Sequence, residues 1–142
     1  MDQKEGQGNL IFNDGRVFAG RFQKDQMREG KLHFRDASFY QGLLRDGKRS
    51  GFGLYVFSDQ SQYEGQWEKD MMHGEGIASF PAGSIYRGTF KQGQFDGYGR
   101  FEWFEGHVYE GNWREGRMEG GGEFSQAKGN ELKGLFKGNY YN

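Results

Sequence analysis

The side chains that could carry acid–base or metal chemistry in this chain are few. His33, His73 and His107 are its three histidines, and there is no cysteine to join them, whereas a zinc site draws three or four such ligands together. The carboxylates Glu64, Glu68, Glu102, Glu105 and Glu110 could in principle supply the acid and base of a hydrolase. They recur with the aromatic residues beside them and fall mostly on the polar face of extended segments, so they read as a solvated surface. His73 precedes a glycine pair and reads as a hairpin-turn residue. No metal, cofactor or catalytic group is expected.

Two glycine-based motifs come to the same end. The pairs Gly51/Gly53, Gly74/Gly76, Gly97/Gly99 and Gly120/Gly122 never complete G-x-G-x-x-G and never lead into a helical pattern, so they cannot cradle a phosphate as that loop does. Ser50-Gly51-Phe52-Gly53-Leu54-Tyr55-Val56-Phe57 looks like the signature of an RNA-binding sheet. It lacks the basic first residue, and Asp96-Gly97-Tyr98-Gly99-Arg100-Phe101 repeats the form with an acid there. Nucleic acid is therefore not an expected partner.

What positions all of these residues is a repeat. Tyr63-Glu64-Gly65-Gln66-Trp67, Tyr86-Arg87-Gly88-Thr89-Phe90 and Tyr109-Glu110-Gly111-Asn112-Trp113 share one aromatic-x-Gly-x-aromatic step. The register extends back to Tyr40 and Phe18 and forward to Leu132. A period of about 23 residues means stacked supersecondary units. Within the unit from Tyr63, apolar residues alternate with polar ones, then Asp70-Met71-Met72-His73 breaks the pattern, and a second alternating run follows. Two strands joined by about four residues predict an antiparallel hairpin, and Pro81-Ala82-Gly83-Ser84 predicts the turn into the next one.

The glycines fall into two groups. Asp25, Gly47, Asp70, Gly93, Gly116 and Asn139 share one turn position, and Gly15, Gly83, Gly106 and Gly129 share another. The exchange of Gly, Asp and Asn there predicts positive φ. The glycines two residues after each lead aromatic, and the paired ones, are expected inside strands. In either plausible register Trp67 faces Gly74 or Gly76, so that its ring lies across the missing side chain. The first unit departs from the pattern: Phe18 and Tyr40 are one residue closer, and Arg28 stands where a glycine is expected.

The hairpins in series predict an all-β, elongated single-sheet array filling residues 1–142 as one domain. It has a half-unit over 5–17, units starting at 18, 40, 63, 86 and 109, and a half-unit over 132–142. Ile, Leu, Val and Phe make up less than about a fifth of the chain, a level associated with disorder. The 14 Phe, 8 Tyr and 3 Trp sit at regular positions, however, and supply the buried area instead. The formal charge of −1 argues against a broad electrostatic grip on polyanions. No apolar run is long enough to span a bilayer, so the chain is not expected to be transmembrane. The absence of cysteine suits a reducing, cytoplasmic setting. The open terminal half-units predict continuation in a longer array or self-association through the sheet ends.

The pattern Tyr-x-Gly-x-Trp/Phe-x-x-Gly/Asp-x-x-x-Gly-x-Gly, closed by an Asp/Ala-Gly-Ser-like turn, resembles the MORN repeat. The resemblance covers residues 5 to 141 and is clearest from Tyr63 to Gly76. It implies hairpin stacks without catalytic activity, as in junctophilins, plant phosphatidylinositol phosphate kinases, radial-spoke proteins and cytoskeletal scaffolds of protozoa. It also implies a scaffold in a cytoskeletal, ciliary or axonemal assembly. The expected partner is a protein segment lying along an aromatic groove of Tyr40, Tyr63, Trp67, Tyr86, Phe90, Tyr109 and Trp113. The alternative is a phospholipid-binding, membrane-apposed module. A basic edge of Lys24, Arg45, Lys48, Arg49, Lys69, Lys91, Arg114 and Arg117 would touch phosphoinositide headgroups, although interleaved acids make a mixed solvated edge the plainer reading.

Overall fold

The computed structural model describes residues 4–126 and 131–138, and every regular element among them is a β-strand. In chain order these are β1 (Gly6–Ile11), β2 (Val17–Gln23), β3 (Gln26–His33), β4 (Phe39–Arg45), β5 (Lys48–Val56) and β6 (Gln62–Glu68). They are followed by β7 (Met71–Ser79), β8 (Ile85–Lys91), β9 (Gln94–Glu102), β10 (Val108–Arg114), β11 (Arg117–Ser125) and β12 (Glu131–Gly138). The chain divides into two compact units, Met1–Met71 and Met72–Asn142. In the first, each strand from β1 to β6 pairs antiparallel with the next. In the second, β7 to β12 do the same. The all-β hairpin fold predicted from the period is what the molecule has.

The connections alternate between two kinds. One is a two-residue turn with both φ positive: Lys24–Asp25, Asp46–Gly47, Lys69–Asp70, Gln92–Gly93 and Glu115–Gly116, with φ between 49° and 82°. This is the type I′ geometry, whose twist matches that of the flanking strands. The expected four-residue break at Asp70–His73 is therefore corrected to two residues, and Met71 to His73 already belong to β7. The second kind runs from an aromatic residue to Ser, Arg or His. In it Phe57 N–H donates to the Ser61 carbonyl at 2.8 Å and Gln60 N–H to that of Phe57 at 2.9 Å. The residue before its last has positive φ whether it is Gly15, Gly83, Gly106, Ala37 or Gln60. The predicted turn glycines are confirmed within the described residues; Gly129 and Asn139 lie outside them.

Across each unit the strand-interior glycines stand in a row. In the first, Gly8 pairs with Gly20, Gly20 with Gly30, Gly30 with Gly42, Gly42 with Gly53 and Gly53 with Gly65. In the second the row is Gly76, Gly88, Gly99, Gly111, Gly122 and Gly134. The lead tyrosines occupy the vacated space: a Cβ at Gly53 or Gly99 would overlap the phenol of Tyr40 or Tyr86.

The first glycine of each pair has a different reason. Gly51, Gly74, Gly97 and Gly120 have φ between 66° and 93°. In the described hairpins they lie where the register slips, as between Gly42 and Leu44 or Gly88 and Phe90. They are bulge residues, which corrects their reading as plain strand interior. An aromatic-over-glycine arrangement forms with the preceding strand. Trp67 stands across from Gly51 of the preceding strand, with its Nε1 donating to the Gly53 carbonyl at 3.1 Å. Trp113 repeats this on Gly97 and Gly99, while within its own hairpin it pairs with Met118.

Candidate functional site

The seven residues expected to line a groove are all buried. Tyr40, Tyr63, Tyr86 and Tyr109 are at most 1% exposed, and Trp67, Phe90 and Trp113 at most 6%. Tyr63, Tyr86 and Tyr109 each meet the aromatic four residues on, Trp67, Phe90 or Trp113, edge to face with centroids 5.1–5.5 Å apart, while Tyr40, followed by Leu44, meets Trp67 edge to face at 5.5 Å. Their polar atoms are also committed. Tyr40, Tyr63 and Tyr86 hydroxyls donate to the carbonyls of Leu43, Gln66 and Thr89 at 2.6–2.9 Å, and Tyr109 to that of Asn112 at 3.2 Å. Burial pushes the Tyr40 phenol up to about 12, against a smaller opposing pull from Arg49. Burial likewise raises Tyr63, Tyr86 and Tyr109. These residues build the core; what solvent meets lies above them.

That outer layer comes from the end of the second strand of each hairpin and the first residue of the loop after it, fifteen and seventeen residues after the lead aromatic, or one fewer after Phe18. In the first unit half-buried Tyr55 lies 4.6 Å from Phe57, 5.8 Å from Phe34 and 6.0 Å from Trp67 between ring centroids. In the second, Phe101 lies 4.6 Å from Trp103 and 6.0 Å from Trp113, with Phe80 at 6.3 Å. Phe57 and Phe80 are more than a third exposed, and neighbouring Phe104 is 66% exposed. Sequence reasoning missed this ledge because it followed the most regular column of aromatics, and regularity marks the core. The less regular columns, Leu32/Tyr55/Ala78/Phe101/Phe124 and Phe34/Phe57/Phe80/Trp103, carried the signal.

A cation enters the inner aromatic layer at Arg49. The position occupied by Met27, Met72, Phe95 and Met118 in the other repeats holds Arg49 in the second. Phe95 stacks on Tyr86 at 3.9 Å; Arg49 instead sets its guanidinium 4.7 Å from Trp67 and 5.2 Å from Tyr55. Its Nε donates to Asp70 Oδ1 at 3.0 Å and its Nη2 to the Asp70 carbonyl at 2.9 Å. Cation–π attraction and the ion pair together hold the charge where a thioether or ring sits elsewhere.

The remaining chemistry-bearing residues are dispersed. His33 packs beside Phe39 and His107 beside Phe124. Glu102 and Glu110 accept from Arg100 at 3.1 and 3.3 Å, while Glu64, Glu68 and Glu105 are exposed. Among the described residues no three His or carboxylate side chains come together as a metal cluster. The basic edge is mixed: Arg45, Lys48 and Lys69 line a depression of about 440 Å³ together with Asp46, Glu68 and Ser50. No helix among the described residues is long and apolar enough to cross a membrane.

The family profile described as "MORN repeat" matches residues 40–62, 63–85, 86–108 and 109–131. Alsin of Rattus norvegicus is 40% identical over 79 residues, 51% of this chain and 5% of that protein. Human alsin is 39% identical over the same length and shares. "MORN repeat-containing protein 3" of Xenopus laevis is 32% identical over 84 residues, 52% of this chain and 35% of that protein. The chain thus spans a small part of the alsins and about a third of the frog protein. Among solved structures, the TCP domain of Drosophila melanogaster SAS-4, in complex with a proline-rich motif of Ana2, superposes with a TM-score of 0.62. It shares 15% identity and covers 94% of this chain and 75% of that one.

Proposed function

Because the chain belongs to the MORN-repeat family, a non-enzymatic repeat module, we propose that it is itself a non-enzymatic scaffold that binds a segment of a partner protein on the accessible aromatics of its core face. The observation that carries this is the contrast between two layers. Within each unit the inner rings are covered and their hydroxyls and indole N–H groups are spent on backbone carbonyls, whereas Tyr55 and Phe57 in the first unit, and Phe101 and Trp103 in the second, lie above them with aromatic surface still in solvent. Rigid aromatic surface of this kind suits a preformed extended segment, above all a proline-containing one, because little chain entropy is lost on docking. The SAS-4 domain's complex with a proline-rich motif supports the same reading through likeness of fold. The assembly served is proposed to be cytoskeletal, ciliary or axonemal, on family frequency alone.

Selection of displayed random dodecapeptides on the immobilised chain tests this. We expect enrichment of Pro-containing apolar segments. Their binding weakens about tenfold or more on Phe57→Ser with Phe101→Ser, and changes little between about 50 and 200 mM salt, since few exposed charges take part. The competing reading is the membrane-apposed module. Flotation with phosphoinositide vesicles that collapses over the same salt range, with no peptide enriched, would reverse the ranking.

A further inference from the structure

The opposite face of the first unit carries a separate cluster. Arg21 and Arg45 alternate with buried Phe22 and Leu44 along β2 and β4, so their side chains leave the sheet on the side away from the core. Arg28 joins them from the bulge of β3, where the register slips opposite Arg21 and Phe22. The three arginines line one depression of about 230 Å³, with Leu43 and Ser50 beside them. One ion pair is present: Glu29 accepts from Arg21 Nε at 3.0 Å, while Arg45 and Ser50 also border the neighbouring depression that holds Asp46 and Glu68. Arg28 Nε is buried without any hydrogen-bond partner, an orphaned donor of the kind that costs about 1–3 kcal/mol if left unsatisfied. Neither Arg28 nor Arg45 has a carboxylate partner among the described residues.

The cluster is peculiar to this place. Gly51, Gly74, Gly97 and Gly120 stand where Arg28 does, and Leu43, Gln66, Thr89 and Asn112 where Arg21 does. Only Arg21 of the three is ion-paired among the described residues, which leaves the guanidiniums of Arg28 and Arg45 with several unmatched N–H groups. A carboxylate offers two oxygens and one charge. A phosphate monoester offers three terminal oxygens and nearly two charges, and so matches both the donor count and the charge.

We infer that this depression is a binding site for a phosphoryl group borne on a phosphorylated serine or threonine of a partner protein. Two features favour a protein segment over a membrane. The site is a single hollow in one unit, and Glu64 and Glu68 alternate with buried Tyr63 and Trp67 on the same face. Those acids would oppose a continuous anionic headgroup layer but not one phosphate. Leu43, 42% exposed, and Phe52, 59% exposed, give the residues flanking the phosphate an apolar surface. The site is independent of the aromatic ledge, and the two succeed or fail separately.

The test is fluorescence polarisation with a degenerate nonapeptide library centred on phosphoserine, its unphosphorylated counterpart, and inorganic phosphate as competitor, beside flotation of phosphoinositide vesicles. The phosphorylated library should bind at least about tenfold more tightly and be displaced by inorganic phosphate. Arg28→Gly, which installs the residue other repeats use, should abolish the preference without lowering Tm, and Arg114→Ala should leave it intact. Should Arg28→Gly lower Tm, the exposed Arg45→Ala gives the same readout. Equal binding of both libraries would overturn the inference, as would a preference that survives both Arg28→Gly and Arg45→Ala. Vesicle flotation abolished by these substitutions, with no preference between peptides, would put a membrane in the site instead.

Discussion

At Gly99 the missing side chain is replaced by the phenol of Tyr86, whose hydroxyl reaches past it to the Thr89 carbonyl. A methyl group there would overlap the Tyr86 ring and its hydroxyl at once. Gly99→Ala should therefore destabilise the chain by roughly 2–3 kcal/mol, against no more than about 0.5 kcal/mol for Glu64→Ala on the solvent face, as read from urea unfolding midpoints. The same phenols make the fold sensitive to alkali. A tyrosine whose ionisation is raised on folding contributes its full stability below the unfolded value of 10.0 and loses it as pH rises through the folded one. Stability should be flat up to about pH 9 and fall from about 10 through 12, because the unfolded chain ionises there while the buried phenols resist. Tyrosinate absorbance should lag behind free tyrosine and then rise together with loss of the β-sheet signal.

Within the element, the sequence disclosed the hairpin but misjudged its parts for identifiable reasons. The polar run at Asp70 looked like a long connection because Met71, Met72 and His73 do not follow the alternation set by Tyr63 to Trp67. They lie next to the bulge at Gly74, whose positive φ breaks the simple period of two. The turn glycines were legible because Asp and Gly exchange at one site, a signature of backbone conformation rather than of side-chain packing. The bulge glycines were not, since an invariant glycine can equally mean close approach. The other connection carries a correctable strain. Ala37 and Gln60 hold φ of 75° and 79° where Gly15, Gly83 and Gly106 stand in sister loops. Gln60→Gly should raise stability by about 0.5–1 kcal/mol, the left-handed penalty relieved less the added freedom of the unfolded chain, and the shift in Tm measures it.

For the whole molecule, the period announced the fold class, and four of the units read from it begin where the matched segments do, at 40, 63, 86 and 109. The aromatic ledge and the arginine hollow were not visible, because both depend on which repeats depart from the pattern. Arg28 and Arg49 are exceptions at positions defined by glycine and by methionine or phenylalanine, and a consensus discards exceptions. Repetition also makes a quantitative expectation. Residues 86–108 contribute one strand pair, β8 and β9, and β7 presents to β8 the same glycine register that β9 presents to β10. Deleting 86–108 in frame should leave a folded chain with an unchanged far-ultraviolet band shape per residue. The urea m-value should be smaller in proportion to the surface lost. An unfolded product would mean that these repeats are not interchangeable.

The two kinds of connection give the chain an asymmetry in what it can accept. The type I′ turns have no slack: both of their residues are conformationally fixed and their length sets the strand register, so an added residue there shifts every side chain beyond it to the wrong face. The aromatic-to-Ser loops close on main-chain hydrogen bonds at their base and expose Ser58 and Asp59 beyond it. Foreign peptide can be spliced in at that tip without disturbing the bonds below. The molecule thus comes with grafting points of one kind only, and a fluorophore or epitope placed there would report from beside the aromatic ledge.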